Sequence, residues 1–142
     1  MPDRLRAALI ILTIALAVSC GTTSPSTPPL SGTWAGTLTD SVYGAGTFTS
    51  TIAEEGTSLA GSYTDTFPKL VIAGTVNGTV NGSSVTLTIT PPSGGLICVA
   101  TETGTLNSTN TSVSGTYASL STCTGTQTTG TFSGTITASS GS

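Results

Sequence analysis

The chain has 142 residues, of which only 6% are charged, and it contains no His. A chain of this length has room for one domain with a modest core. Its formal net charge is −3, and the shortage of cations excludes binding to the phosphate backbone of nucleic acids and electrostatic adhesion to anionic lipid.

The first residues are typical of an export signal. A short basic stretch, Met1–Arg6, precedes the mostly aliphatic run Ala7–Val18. That run is too short for a membrane-spanning helix, which needs ~20 residues. The sequence therefore predicts a signal peptide over residues 1–19.

The signal ends in Leu16-Ala17-Val18-Ser19-Cys20, which resembles the bacterial lipobox. In that motif small residues precede a Cys that is lipidated and becomes the mature amino terminus. The resemblance implies a lipoprotein that carries acyl chains such as palmitate on Cys20 as its membrane anchor in the cell envelope. Gly21, where Asp would signal retention, implies the outer membrane in a host that has one. The alternative is an ordinary secretory signal with a Cys at its end.

Residues 20–31 are rich in Ser, Thr and Pro and predict an extended tether, because such a segment cannot pack a core. After removal of the signal the chain keeps five acidic residues and Lys69, for a net charge of −4. Membrane attachment must then come from covalent lipid, to which each buried methylene contributes about 0.8 kcal/mol.

From Gly32 onward, apolar and polar residues alternate with the period of half-buried strands, and Thr favours the pleated backbone. The pattern predicts eight strands and no helix. The predicted segments are Gly32–Thr39, Gly46–Ala53, Ser58–Thr66, Val71–Val80, Ser84–Thr90, Ile97–Asn107, Ser112–Leu120 and Gly130–Ala138.

The connections are short and rich in Asn and Gly, which tolerate the positive φ of tight hairpins. Matching apolar residues across each turn predicts consecutive hairpins in an up-and-down order. The predicted pairs are Ile52 with Leu59, Phe48 with Tyr63, Val80 with Val85, Val76 with Ile89, and Leu106 with Val113.

A weak repeat of the form apolar-x-Gly-x-apolar places Gly on the inward face of five strands, as in Trp34-Ala35-Gly36-Thr37-Leu38. Inward Gly makes space for a large neighbouring side chain and lets a strand coil sharply. We therefore predict an eight-stranded antiparallel up-and-down β-barrel over residues 32–139, with a β-sandwich as the alternative. The Thr and Ser of the outer face do not form the apolar band of a membrane-spanning barrel.

With Cys20 assigned to lipid, Cys98 and Cys123 remain as a pair in an exported protein, which predicts a disulfide. The predicted register brings Cys123 within two positions of the residue opposite Cys98. The absence of His argues against a metal site or an activated nucleophile, and no Gly-x-Ser-x-Gly motif is present. We expect no catalytic residues, no cofactor and no enzyme activity.

Two acidic residues lie at positions whose alternation along the strand (their parity) matches that of the inward-facing residues. Glu102 has that parity and lies near Tyr117 across its hairpin, and Asp65 shares the face of Tyr63. A buried carboxylate is costly unless it is paired, so an inward Glu102 would mark a ligand contact in a barrel mouth. The alternative is that parity slips near Cys98 and Glu102 points to water, and we favour this second interpretation. The same two interpretations apply to Asp65.

Gly32-Thr33-Trp34-Ala35-Gly36-Thr37-Leu38, followed by Leu59-Ala60-Gly61-Ser62-Tyr63, resembles the opening of avidin-type and lipocalin-type (calycin) barrels. The resemblance covers about a quarter of the chain and implies a barrel. It also implies ligand contacts at Trp34 and Tyr63, the second of which matches a biotin-contacting Tyr. It does not imply biotin itself, because Trp34 is the only Trp and Gly36 stands where avidins have Asn.

Two functions follow as hypotheses. The first is a lipocalin-like barrel that binds a small apolar or amphipathic ligand through Trp34, Tyr63, Asp65, Glu102 and Tyr117. The second is a packed structural or interaction barrel that binds protein or glycan partners at the cell envelope. The sequence does not separate them, because it leaves open whether the interior is hollow.

Overall fold

The computed structural model describes residues 29–93, 97–121 and 123–139. The predicted signal peptide, Cys20 and most of the predicted tether lie outside the described residues. The described part is all-β, with eight strands. They are β1 Gly32–Asp40, β2 Gly44–Glu55, β3 Ser58–Phe67, β4 Leu70–Asn81, β5 Ser84–Thr90, β6 Ala100–Leu106, β7 Ser112–Ser119 and β8 Thr129–Ser139.

The eight strands form a closed antiparallel barrel in up-and-down order. Each strand pairs with its neighbour in sequence, and β8 returns to pair with β1. The predicted barrel is confirmed, and the alternative of a β-sandwich is wrong. Closure leaves no unpaired sheet edge, which matters for a Thr-rich sheet that could otherwise add strands from another chain.

Two of the three predicted hairpin registers are confirmed. Val80 lies opposite Val85, and Leu106 lies opposite Val113. The register predicted between β2 and β3 is wrong by two residues, because Leu59 lies opposite Glu54 instead of Ile52. The cause is the turn, which is shortened to two residues by Gly56 with φ +62°. A shift of two residues keeps every side chain on its predicted face.

The barrel interior is filled by alternate residues of the strands, and inward Gly residues make room for aromatic rings. The ring of Phe48 on β2 lies across Gly36 on β1 and Gly134 on β8, where an added Cβ would come within 2.7 Å and 2.5 Å of the ring. The same ring meets Phe132 edge to face at 6.2 Å between centroids. The core consists of Leu30, Trp34, Leu38, Ile52, Leu59, Tyr63, Phe67, Ile72, Val76, Val85, Ile89 and Leu106.

The two ends of the barrel are closed differently. At one end, which we call the closed end, lie the turns 56–57, 82–83 and 107–111 together with Leu30, where the described chain enters the barrel. At the other, which we call the acidic end, lie the short turns 41–43 and 68–69 and the two longer connections from β5 to β6 and from β7 to β8. The strand ends that carry Asp40, Asp65 and Glu102 all lie at this second end.

Candidate functional site

The barrel interior contains a cavity of about 110 Å³ that is partly open to the surroundings. Its walls are mostly aliphatic and aromatic side chains from all eight strands, and its polar lining is concentrated at the acidic end. A dry apolar cavity of ~150 Å³ holds a benzene molecule, whereas a drug-sized ligand occupies roughly 300–1,000 Å³. The cavity is therefore of the right size for a molecule of a few carbon atoms.

Asp40 ends β1 and organises the first turn of the acidic end. Its Oδ1 accepts hydrogen bonds from the backbone N–H groups of Val42 at 2.7 Å and Tyr43 at 2.9 Å. Its Oδ2 accepts a hydrogen bond of 2.6 Å from the hydroxyl group of Tyr117. These bonds satisfy a side chain that is only 6% exposed, and they hold the Tyr117 ring over the cavity.

Gly130 is what allows Tyr117 to reach Asp40. In the register Tyr117 on β7 faces Gly130 on β8, and Gly130 faces Asp40 on β1. A Cβ at Gly130 would lie 2.5 Å from both Cζ and Oη of Tyr117. Any larger residue at this position would therefore displace the ring and break the bond to Asp40.

Asp65 and Glu102 both face the cavity, from β3 and β6. Neither carboxyl group accepts a hydrogen bond from the described residues. No completely enclosed side-chain oxygen or nitrogen in the described part lacks a partner. Asp65 and Glu102 are both partly exposed, and both lie among the residues that line the cavity.

Burial makes these two carboxyl groups hard to ionise. Burial and then the charge of Asp40 raise the pKa of Asp65 to about 7, and burial and then the charge of Asp65 raise the pKa of Glu102 to about 7. Asp40 differs, because its hydrogen bonds from Tyr117 and from the turn together outweigh its own burial and lower its pKa. Two of the three acids at this end thus titrate near neutral pH.

The tyrosines of the acidic end stay neutral. Burial, followed by the charges of Asp65 and Glu102, raises the pKa of Tyr63. Burial and the hydrogen bond to Asp40 raise the pKa of Tyr117. Both hydroxyl groups therefore remain potential hydrogen-bond donors across the physiological range.

The described parts of the two longer connections lie at the acidic end and contact each other. Cys98 and Cys123 lie at disulfide distance, with 5.7 Å between their Cα atoms. The N–H of Leu120 donates to the carbonyl of Val99 at 2.9 Å. Cys98 is 4% exposed and lines the cavity, so the cysteine pair belongs to the cover of the cavity.

The closed end is shut by the segment that leads into β1. Leu30 is 3% exposed, and its N–H donates to Oε2 of Glu54 at 2.6 Å. The indole N–H of Trp34 donates to the carbonyl of Leu30 at 2.9 Å, and the N–H of Glu54 donates to Oγ of Ser31 at 2.9 Å. We call Leu30 and Ser31 the plug, and each polar group named here has a hydrogen-bond partner.

All five residues proposed from the sequence as ligand contacts line the cavity. They are Trp34, Tyr63, Asp65, Glu102 and Tyr117. The favoured expectation that parity slips and Glu102 points to water is wrong, because the ladder from Ala100 to Leu106 is regular and places Glu102 opposite Tyr117. Trp34 stands apart from the others, because it lies at the closed end and its N–H already has a partner.

Sequence reasoning missed Asp40. The signal was present, because Asp40 continues the inward parity of Trp34, Gly36 and Leu38 along β1. The predicted strand ended one residue earlier, at Thr39, and Asp40 also accepts hydrogen bonds from the turn that follows. It also joins the cavity lining.

Within residues 29–93, 97–121 and 123–139, no group of three His, Cys, Asp or Glu side chains has the geometry to hold a metal ion. The same part of the chain contains no helix long and apolar enough to cross a membrane. No protein-family model matches the chain, and no significant match was found among curated proteins or solved structures.

Proposed function

We propose that this chain is a lipid-anchored protein of the cell envelope whose barrel binds one small, partly apolar molecule in its interior. The observation that supports binding most directly is the cavity: apolar side chains line most of it, and two carboxyl groups with no hydrogen-bond partner among the described residues face it. Pockets that combine apolar walls with a few convergent polar groups are typical ligand sites. The role proposed is binding and not catalysis.

The cavity volume of about 110 Å³ limits the ligand. A long acyl chain or a ligand of biotin's size is larger than this space, which is smaller than the cavity that holds benzene. The ligand would therefore bind inside the barrel, as in lipocalins, but it would be smaller than a usual lipocalin ligand.

Lipidation at Cys20 gives the barrel an orientation. Leu30 lies at the closed end, and the ten residues from Cys20 to Leu30 span at most about 35 Å when fully extended. The closed end then lies nearer the membrane, and the acidic end is free to meet molecules from the surroundings.

Ligand binding can be measured on residues 21–142, because the barrel closes on itself within this range and needs no part of the signal. Isobutanol serves as a small amphipathic probe, and the fluorescence of Trp34, the only Trp, reports binding because it lines the cavity. We expect saturable binding that is lost in Ala100→Leu, which fills the cavity. The matched control is Ala118→Leu on the neighbouring strand, where the side chain is exposed.

Saturable binding that Ala100→Leu abolishes and Ala118→Leu preserves would support the proposal. Absence of saturable binding in the folded wild-type protein would contradict it. Equal loss in both variants would also contradict it, because the effect would then not depend on the interior.

Lipidation is tested separately by labelling growing cells with a palmitate analogue. The full chain should carry the label and sediment with membranes, and Cys20→Ser should lose both properties. Ser19→Ala keeps the small residue before Cys20 and serves as the control. A labelled Cys20→Ser variant, or an unlabelled wild-type chain in a bacterial host, would contradict the anchor.

A second candidate function is the packed interaction barrel. It is favoured by the small cavity and by three exposed apolar side chains near the acidic end, Val42 at 55%, Val71 at 63% and Leu120 at 45%. On this alternative, Val42→Ser and Leu120→Ser would abolish recovery of a specific partner from envelope extracts, whereas Ala100→Leu would not.

A further inference from the structure

The described interior of the acidic end contains carboxyl groups that can accept hydrogen bonds, but no Lys or Arg side chain that could pair with them. Asp65 and Glu102 face the cavity without hydrogen-bond partners among the described residues. After residue 28 the only Lys or Arg in the chain is Lys69, which is exposed in the turn 68–69 and does not line the cavity. The protein therefore supplies no cation for these two carboxyl groups.

The remainder of the cavity is suited to a carbon skeleton. Its walls next to the two carboxyl groups include Phe67, Ile72, Ile89 and Leu87, and none of these offers a polar side-chain atom. A ligand that satisfies this environment must therefore have donors at one end and an apolar body at the other. At pH 8, where both carboxyl groups are ionised, like charge disfavours an anion.

We propose that the cavity selects a small primary amine in its ammonium form, with its nitrogen donating to Asp65 and Glu102 and its carbon skeleton against the apolar wall. This inference rests on the proposed binding function and names the ligand class of that site. An ammonium group offers three donors and no acceptor, which matches two ionised carboxyl groups that accept and do not donate. Charge-assisted hydrogen bonds of this kind are about twice as strong as neutral ones.

Binding of an amine should depend on pH. The titratable groups that face this part of the cavity or border it are Asp40, Tyr43, Tyr63, Asp65, Glu102 and Tyr117. Of these, Asp65 and Glu102 have pKa values near 7 and change charge between pH 6 and pH 8. Affinity for an amine should rise about tenfold across that interval, since the amine stays protonated while the carboxyl groups ionise.

The test compares isobutylamine with isobutanol, which has the same carbon skeleton, on residues 21–142 by NMR titration at pH 8. We expect the amine to bind at least about tenfold more tightly than the alcohol. Asp65→Asn and Glu102→Gln, which keep side-chain shape, should each reduce this ratio to about twofold. Glu55→Gln, which changes an exposed side chain at the closed end, should leave the ratio of amine to alcohol affinity above tenfold.

The outcomes separate the two proposals. If the alcohol binds and the amine binds no more tightly, the amine inference is overturned while the proposed binding function stands. If neither probe binds the folded protein, both fail. If Glu55→Gln lowers the ratio as much as Asp65→Asn, the preference is a surface charge effect and the inference is overturned.

Discussion

The closed end and the acidic end are built from the same eight strands, yet they treat buried polar groups in opposite ways. At the closed end the indole of Trp34, the carboxylate of Glu54 and the backbone of Leu30 satisfy one another. At the acidic end Asp40 is satisfied, whereas Asp65 and Glu102 have no hydrogen-bond partner among the described residues. Buried charge without a partner costs stability. The closed end therefore stabilises the barrel, whereas the acidic end is the candidate ligand site.

The largest effect is expected from the cysteine pair that joins the two connections over the acidic end. Replacing both cysteines, as Cys98→Ser with Cys123→Ser, removes a cross-link over 25 residues. The loss in the free energy of unfolding should be about 3.5 kcal/mol by the chain-entropy estimate. Urea denaturation measures it, and wild-type protein in reductant should show the same loss. A loss below about 1 kcal/mol would contradict a closed disulfide.

Removal of the plug from the closed end should have the next largest effect. Leu30→Ala deletes a side chain that is 3% exposed and should lower the free energy of unfolding by about 3 kcal/mol. The matched control, Val71→Ala, truncates a side chain that is 63% exposed, and should change stability by less than about 0.5 kcal/mol. Equal effects of the two substitutions would show that Leu30 does not close the barrel.

The unsatisfied acids should make the protein less stable as pH rises. Because the pKa values of Asp65 and Glu102 are raised in the folded state to about 7, their contribution is fully present below the unfolded pKa, near 4, and is lost as pH rises through about 7. Thermal unfolding should therefore show higher stability at pH 5 than at pH 8.

Glu102→Gln isolates one part of this pH dependence. It should stabilise the protein at pH 8 by on the order of 2 kcal/mol and flatten the slope between pH 5 and pH 8. Glu55→Gln, at the exposed β2–β3 turn, is the control and should leave the slope as it is. A Glu102→Gln variant that is less stable than wild type at pH 8 would place Glu102 in an interaction that the structure lacks.

The smallest effect is expected from the one satisfied acid of this end. Tyr117→Phe removes the hydroxyl group that donates to Asp40 and should cost about 1.5 kcal/mol at pH 7. It should also raise the pKa of Asp40, which this bond helps to lower. Tyr43→Phe keeps the ring that packs on Phe67 and provides the control. No change in either quantity would mean that Tyr117 does not hold Asp40.

The alternation of the sequence was sufficient to predict the strands, their order and, apart from Glu102, the faces of their side chains. It could not predict the register between β2 and β3, because a pattern of period two is unchanged by a shift of two residues and only the geometry at Gly56 decides it.

The site could be predicted in part. Tyr63 was proposed from the resemblance to calycin barrels and Tyr117 from its place across the hairpin from Glu102, whereas Asp40, one residue beyond the predicted first strand, was missed. The expectation that Glu102 points to water assumed a slip of the alternation near Cys98, but the ladder of β6 is regular. The cost of burying this carboxylate appears as a raised pKa and not as a change of face. The size of the cavity was beyond reach, since it depends on how aromatic rings such as Phe48 lie over inward Gly residues.

The difference between the two ends is tested most directly by NMR titration of the carboxyl carbons of Asp65 and Glu102 in the folded protein. We predict titration midpoints near 7 for this coupled pair. The pKa of Asp40 should lie below its ordinary value. Midpoints near 4 for both Asp65 and Glu102 would show that these groups face water and would contradict a cavity lined by unpartnered acids.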